Sequence, residues 1–355
     1  PRSERVTAPS GSGASAASAD PLDASSEATS GAPPQAHASA SSARNEDRTS
    51  RGDGAEGRAT RRMDAGSGGG TDRVRAPTYG MSTHLSALRR LNHDRITAPG
   101  VEPAAWMVVL HGIYGSGRNW ASIARRFVRA RPEWGCVLVD LRNHGSSTGF
   151  LPPHTVEACA NDVLQLVRAE GIDARALLGH SFGGKVALEY AWHAAIVPDA
   201  PHLEQIWVVD STPALGTPKG TAWRMLRVLR ERPGPFPNRE AGIAAVEAGG
   251  YGRPVAQWMS TNLVSDDAGT LGWRLVADVM EALLRSFFTV DAWDAIDHPP
   301  PGCEIHVIKA HDSSVIGPKV RAHIEAAGLA TGRVHLHEVE GGHWLNADNP
   351  DALQS

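Results

Sequence analysis

Cysteine is scarce: three in 355 residues, Cys136, Cys159 and Cys303, each set in an apolar or helical stretch. They share no metal-type spacing and read as buried, reduced thiols, which fits a reducing compartment. An excess of one charge is also lacking. The net charge is −4, which leaves no basic surface for nucleic acid. No apolar run approaches the ~20 residues needed to cross a bilayer, so no stable membrane span is expected. Sixteen histidines are present, but no His-x-x-x-His pair with a carboxylate partner, and no metal is expected. The phosphate-binding pattern G-x-x-x-x-G-K-[ST] is missing too; Gly183-Gly184-Lys185 lacks its leading glycine spacing, which argues against a nucleotide.

Large apolar side chains are missing from residues 1–78, which are dominated by Ser, Ala, Gly, Arg and Asp. Such a stretch cannot bury enough surface to offset the entropy of ordering, and it is expected to be a disordered low-complexity tail. It is Arg- and Ser-rich yet also acidic, so it fits an organelle transit peptide only in part. The expected location is intracellular, cytoplasmic or organellar (mitochondrion or plastid), and not secreted. About 275 residues remain, an ordinary size for one α/β domain with an insertion. The sequence sets no oligomeric state.

What is there is organised around Leu177-Leu178-Gly179-His180-Ser181-Phe182-Gly183-Gly184-Lys185. An apolar run stops at a glycine-flanked serine and a helical pattern follows: strand, sharp turn, helix. On such a turn the backbone is strained and the hydroxyl is pushed into the open, while a Cβ two residues to either side would collide with strand or helix. Gly145-Ser146-Ser147-Thr148-Gly149 fits the same pattern, but Pro152 and Pro153 follow and forbid an immediate helix. Only Ser181 has the context.

Ordered structure is expected from near Thr83, where Leu85, Leu88 and Leu91 suit an edge strand or hairpin. The run from Ala104 to Leu110 reads as a strand buried on both faces of a parallel sheet, followed by His111-Gly112-Ile113-Tyr114-Gly115 and a helix capped by Asn119. Cys136 to Asp140 is a second buried strand, and the helix through Val156, Cys159, Val163 and Leu166 ends at Gly171. Strands follow at Ala176–Leu178 and 205–210, then at 305–309 and 334–339, with a helix near 319–326 and another from Pro350. Strands alternating with helices predict an α/β class fold, a mostly parallel doubly wound sheet. The alternation stops at 212–301, which is helical and rich in Trp and Phe. That segment reads as a lid inserted between core portions 79–211 and 302–355, over the sheet edge where ligands bind. Its tryptophans suit either an apolar substrate or the core of the lid itself.

A serine hydroxyl becomes a nucleophile when an imidazole takes its proton, and the imidazole must be held by a carboxylate. His343, on a Gly-Gly loop after the last strand, is the expected base. Two carboxylates compete to hold it: Asp210, ending the strand after the nucleophile helix, and Asp312, following the next strand. The oxyanion donors are expected at the amides of Phe182 and Ile113. His111, His144 and His180 are expected to orient backbone rather than react, and Arg142 either pairs with a carboxylate or covers the oxyanion loop.

His111-Gly112 with Gly115, Asp140-x-Arg142-Asn143-His144-Gly145, Gly179-His180-Ser181-x-Gly183-Gly184-Lys185, Val209-Asp210-x-x-Pro213 and Gly342-His343-Trp344 together resemble the YbfF-like esterases. These belong to the alpha/beta hydrolase domain-containing 11 group of the α/β-hydrolase superfamily. The resemblance spans about residues 104 to 353 and implies an α/β-hydrolase fold with a serine esterase activity on small acyl esters or thioesters, and no cofactor. It also implies Asp210 as the acid; family members can carry Asn at the position of Asp312, so this chain departs by offering two. The other readings are a hydrolase or lyase of the same fold acting on a non-ester bond, and a ligand receptor that keeps the triad.

Overall fold

The computed structural model describes residues 89–196 and 202–354. The expected tail, residues 1–78, lies outside them, as do Leu85 and Leu88; Leu91 is buried just before the first strand.

The chain runs through β1 (His93–Ile96), β2 (Ala105–Leu110), α1 (Ala121–Ala130), β3 (Trp134–Val139), α2 (Val156–Ala169), β4 (Ala174–His180), α3 (Phe182–Ile196) and β5 (Gln205–Val209). It continues with α4 (Gly220–Glu231), α5 (Arg239–Glu247), α6 (Arg253–Met259), β6 (Leu263–Ser265), β7 (Leu271–Trp273), α7 (Ala277–Thr289) and α8 (Trp293–Asp297). The last elements are β8 (Glu304–Ala310), α9 (Pro318–Thr331), β9 (Val334–Val339) and α10 (Leu345–Asp348).

Seven strands form one sheet in the order β1-β3-β2-β4-β5-β8-β9. Only the edge strand β1 is antiparallel to its neighbour; every other pairing is parallel. The central strands are apolar on both faces because both are covered, as a parallel sheet requires. On one face α2, α3, α8 and α9 bury Val163, Leu188, Ile296 and Ile324 against Val108, Leu177, Ile206 and Val307. On the other, α1 buries Ile123 and Val128 against Val109, Leu138 and Leu178. Each such aliphatic side chain contributes about 1.5–3 kcal/mol by leaving water.

After β2 the chain steps outward to β3 and then returns to the far side of β2 for β4. The strand order therefore reverses between β2 and β4, which opens a crevice at their carboxyl ends. Ser181 follows β4 and the His111–Ile113 segment follows β2, so both flank that crevice.

Several local expectations need correction. Asn119 does not cap α1: it lies in a 3-10 turn, Gly117–Trp120, where its Oδ1 accepts the Ser116 amide at 2.7 Å. The 212–301 segment is not wholly helical, since β6 and β7 pair antiparallel as a small hairpin. Asp266 closes its turn by accepting the Ala268 and Thr270 amides at 3.0 and 2.8 Å; the short apolar triplets around Asp-Asp-Ala-Gly-Thr were the available signal. No helix begins at Pro350; α10 precedes it, and 350–354 are turns. Among the described residues no helix is long and apolar enough to cross a membrane.

Candidate active site

The strands β2, β3, β4 and β5 each lead into a residue with positive φ: Tyr114 (64°), Asn143 (58°), Ser181 (51°) and Asp210 (41°). Among the described residues these are all the non-glycine positions in that region. Each costs about 1–3 kcal/mol and persists only where the surroundings over-determine it. At Ser181 the amide donates to the Val209 carbonyl at 3.0 Å, and its own carbonyl accepts the Gly184 amide at 2.9 Å. A Cβ on Gly179 would stand 2.1 Å from the Gly183 carbonyl oxygen, and one on Gly183 would stand 2.5 Å from that of Leu110. The turn closes only with glycine at both. The second Gly-x-Ser-x-Gly match makes no such turn: Ser147 Oγ donates to the Asp140 carbonyl at 2.7 Å, and no helix starts before Val156.

His343 stands on the loop after β9, where Gly341 takes a φ of 129°. Its Nδ1–H donates to Asp210 Oδ2 at 2.6 Å, with both side chains fully buried. Burial alone would raise the Asp210 carboxyl, but hydrogen bonds from His343, the Ser313 side chain and the Ala310 amide outweigh it and hold the group below its ordinary value. His343 Nε2 is buried with no hydrogen-bond partner among the described residues. His343 and Ser181 line one cavity.

Asp312 is placed elsewhere. The β8–β9 pairing runs on through the His311 amide to Val339 and the Asp312 amide to Gly341. That register leaves the Asp312 side chain 68% exposed, 2.9 Å from His311 Nδ1. His343 therefore meets Asp210, and Asp312 serves an exposed ion pair.

The loop after β2 spends most of its amides internally. Tyr114 donates to His144 Nε2 at 3.2 Å, Gly115 to the Gly112 carbonyl at 3.0 Å, Ser116 to Asn119, and Gly117 to Asp140 Oδ1 at 2.8 Å. No acceptor among the described residues meets the Ile113 amide. Ile113 is buried and lines the cavity. Phe182 opens α3, whose first amides have no partner within the helix.

His111 and His144 cross-link the loops after β2 and β3. His111 Nδ1–H donates to the Gly112 carbonyl at 2.7 Å while its Nε2 accepts the Leu141 amide at 3.0 Å. His144 Nδ1–H donates to the Arg142 carbonyl at 3.0 Å, leaving Nε2 to accept from Tyr114. Each ring must be neutral to accept, and burial pushes both down, His144 to about 3. Arg142 grips Asp162 with Nε and Nη2 at 2.7 and 2.9 Å and donates to the Pro153 carbonyl. That arginine anchors its loop to α2 and does not reach the cavity.

The cavity is a cleft of about 510 Å³, counted to its open mouth. Thr221, Ala222 and Met225 of α4 and Trp258 of α6 line it from the insertion. Trp258 packs edge-on against Trp344, with centroids 4.1 Å apart. Of the other tryptophans of the insertion, Trp223 packs on Phe288 and Trp273 on Phe236 within it, while Trp293 stacks on His323 of α9. Trp344 and Asn346 also line the cleft, and sequence reading singled out neither as a wall; being next to His343 was the one signal. Among the described residues no group of three or more His, Cys, Asp or Glu side chains is arranged to hold a metal ion.

A mostly parallel sheet with a serine on a strained strand-to-helix turn, and a histidine–carboxylate pair beside it at the carboxyl edge, defines the hydrolases of the α/β class. This chain belongs to the alpha/beta hydrolase family, whose description matches residues 107–353. It is similar to the sn-1-specific diacylglycerol lipase ABHD11 of Xenopus tropicalis, 28% identical over 294 residues that cover 79% of this chain and 85% of the relative. It is similar to esterase YbfF of Escherichia coli, 25% identical over 275 residues covering 74% and 96%. The solved structure of a marine microorganism esterase superposes with a TM-score of 0.64 at 23% identity, over 75% of this chain and 97% of that one. The structural likeness establishes the fold; family and relatives together establish a hydrolase.

Proposed function

We propose that the protein is a serine carboxylic ester hydrolase that uses Ser181 as nucleophile, His343 as base and Asp210 as the acid that holds the base. The observation that carries this reading is the buried 2.6 Å bond from His343 Nδ1 to Asp210. It fixes the tautomer with the lone pair on Nε2, the nitrogen left without a partner in the cavity that Ser181 lines. Ser181 Oγ attacks the ester carbonyl as Nε2 takes its proton, and the oxyanion is met by the amides of Ile113 and Phe182. The C–O bond to the alcohol breaks as His343 returns the proton to the leaving oxygen, which leaves an acyl-serine. Water, deprotonated by the same nitrogen, adds to the acyl carbon, and the bond to Ser181 Oγ breaks as His343 returns the proton to that oxygen, which frees the acid.

The segment 212–301 acts as the lid. Met225, Trp258, Ile113, Trp120 and Trp344 give the cleft apolar walls, suited to the hydrocarbon part of an acyl ester. Labelling with a fluorophosphonate tests the proposal. Wild-type protein should label and turn over p-nitrophenyl acetate repeatedly, and Ser181→Ala should do neither. One slow acylation followed by a stall would favour a triad-bearing receptor, and hydrolysis that survives Ser181→Ala would overturn the assignment.

A further inference from the structure

His180 precedes Ser181 at the end of β4 and is more than a spacer in the turn. Its ring lies 4.8 Å from the His343 ring, inclined by 40°, and Trp120 stands 5.9 Å away. Its Nε2 is 2.8 Å from the His343 carbonyl oxygen. An oxygen can only accept, so Nε2 carries the proton. Burial pushes the ring pKa down to about 3, so the group stays neutral and its tautomer fixed throughout the working pH range. The neighbouring loop makes room for it, since a Cβ on Gly112 would stand 3.1 Å from His180 Nδ1.

Those contacts tie the strand that presents the nucleophile to the backbone that presents the base. His343 sits on a loop after β9, three strands away from β4 in the sheet. Asp210 restrains its ring at Nδ1, which leaves the ring free to swing about that bond. The His180 hydrogen bond fixes the main chain behind the ring, and the ring contact limits the swing. We infer that His180 is a positioning residue that sets the separation of Ser181 and His343 through the His343 carbonyl and ring face. This rests on the proposed Ser181–His343 chemistry and adds to it, beside Asp210, a side chain that lines the cleft and acts through the base.

The test compares His180→Phe, which keeps a ring but loses the donor, with His180→Gln, whose amide N–H can replace Nε2–H. Acylation is read from the rate of fluorophosphonate labelling, and kcat and KM from p-nitrophenyl ester turnover. A displacement of about 1 Å between reacting groups costs about 10²-fold. His180→Phe should therefore lose about 10²-fold in labelling rate and kcat with KM held within threefold, and His180→Gln should recover most of that loss. The inference is overturned if folded His180→Phe labels at the wild-type rate, or if His180→Gln is as impaired as His180→Phe. Should either variant fail to fold, His180→Leu stands in for Phe and His180→Asn for Gln, and the same two outcomes overturn the inference. Retained activity in Ser181→Ala would instead sink the underlying chemistry, so the two failures are distinguishable.

Discussion

Lys185 Nζ donates to the Phe287 carbonyl at 2.7 Å and stands 4.5 Å over the centre of the same residue's ring. Two further carbonyls, Ala214 at 2.8 Å and Val290 at 3.1 Å, complete its set. One buried ammonium, a single helical turn after Ser181, thus joins α3 to both ends of the inserted segment. Phe287 in turn lies 6.2 Å from Phe182. Burial lowers the Lys185 pKa to about 8, which still leaves it charged at neutral pH.

Lys185→Met should therefore be costly despite its similar volume. It strands three buried carbonyls, and an unmet buried acceptor costs about 1–3 kcal/mol. The expected loss is about 3 kcal/mol, read as a lower urea midpoint at unchanged m-value; a shift below about 0.5 kcal/mol would mean water replaces the ammonium without penalty.

The two aspartates make opposite predictions. Asp210→Asn removes the acceptor that fixes the His343 tautomer and should lower kcat by about 10⁴-fold. Asp312→Asn alters an exposed pair with His311 and should stay within twofold of wild type. Comparable losses in both would return the acid to the ambiguity that chain order alone leaves.

That ambiguity shows what a sequence can carry. The strands, the elbow serine and the loop histidine were legible because each depends on local periodicity and on glycine at places where a Cβ has no room. The choice between Asp210 and Asp312 was not, because both follow strands on the same edge. It turns on two pairings: the Asp210 amide continues β5–β8 by donating to Ile308 and its side chain is buried, whereas the β8–β9 pairing leaves the Asp312 side chain exposed. The hairpin of β6 and β7 was missed because strands of three residues are too short for an alternation to register, and the contacts of Lys185, quoted only within a motif, because its partners are main-chain carbonyls, which carry no side-chain signature.

Acid should destabilise the fold well before its carboxylates titrate. Burial holds both His144 and His180 at about 3, far below the 6.5 of an unfolded chain. A base whose pKa is depressed by folding binds protons more readily when unfolded, so stability is full above pH 6.5 and falls as the pH drops toward 3. Each such histidine contributes a slope approaching about 1.4 kcal/mol per pH unit. Below 3.8 the lowered Asp210 adds to the loss, while Asp162, raised by burial, opposes it above 3.8, where the folded carboxyl takes up its proton before the unfolded one does. Urea midpoints measured between about pH 7.5 and 4.5 should be level down to about 6.5 and then decline; a level curve throughout would show that neither ring is held neutral.

Gly112→Ala separates the oxyanion loop from the rest of the site. The added methyl would stand 3.1 Å from His180 Nδ1 and 3.4 Å from Ser181 Cβ, close enough that one side must give by a few tenths of an ångström. The serine turn cannot give, because Gly179 and Gly183 have already brought backbone to contact there. The loop after β2 is therefore the part that moves, carrying the Ile113 amide away from the oxyanion. Loss of one such donor is worth about 3 kcal/mol in the transition state, or roughly 10²-fold in kcat, and it leaves ground-state binding almost untouched. Gly112→Ala should thus keep its KM and stability, and should fall in kcat with little change in the share of protein that a fluorophosphonate finally labels. If kcat is unchanged in a folded variant, the second donor is not the Ile113 amide, and the negative charge must be met from elsewhere in the cleft.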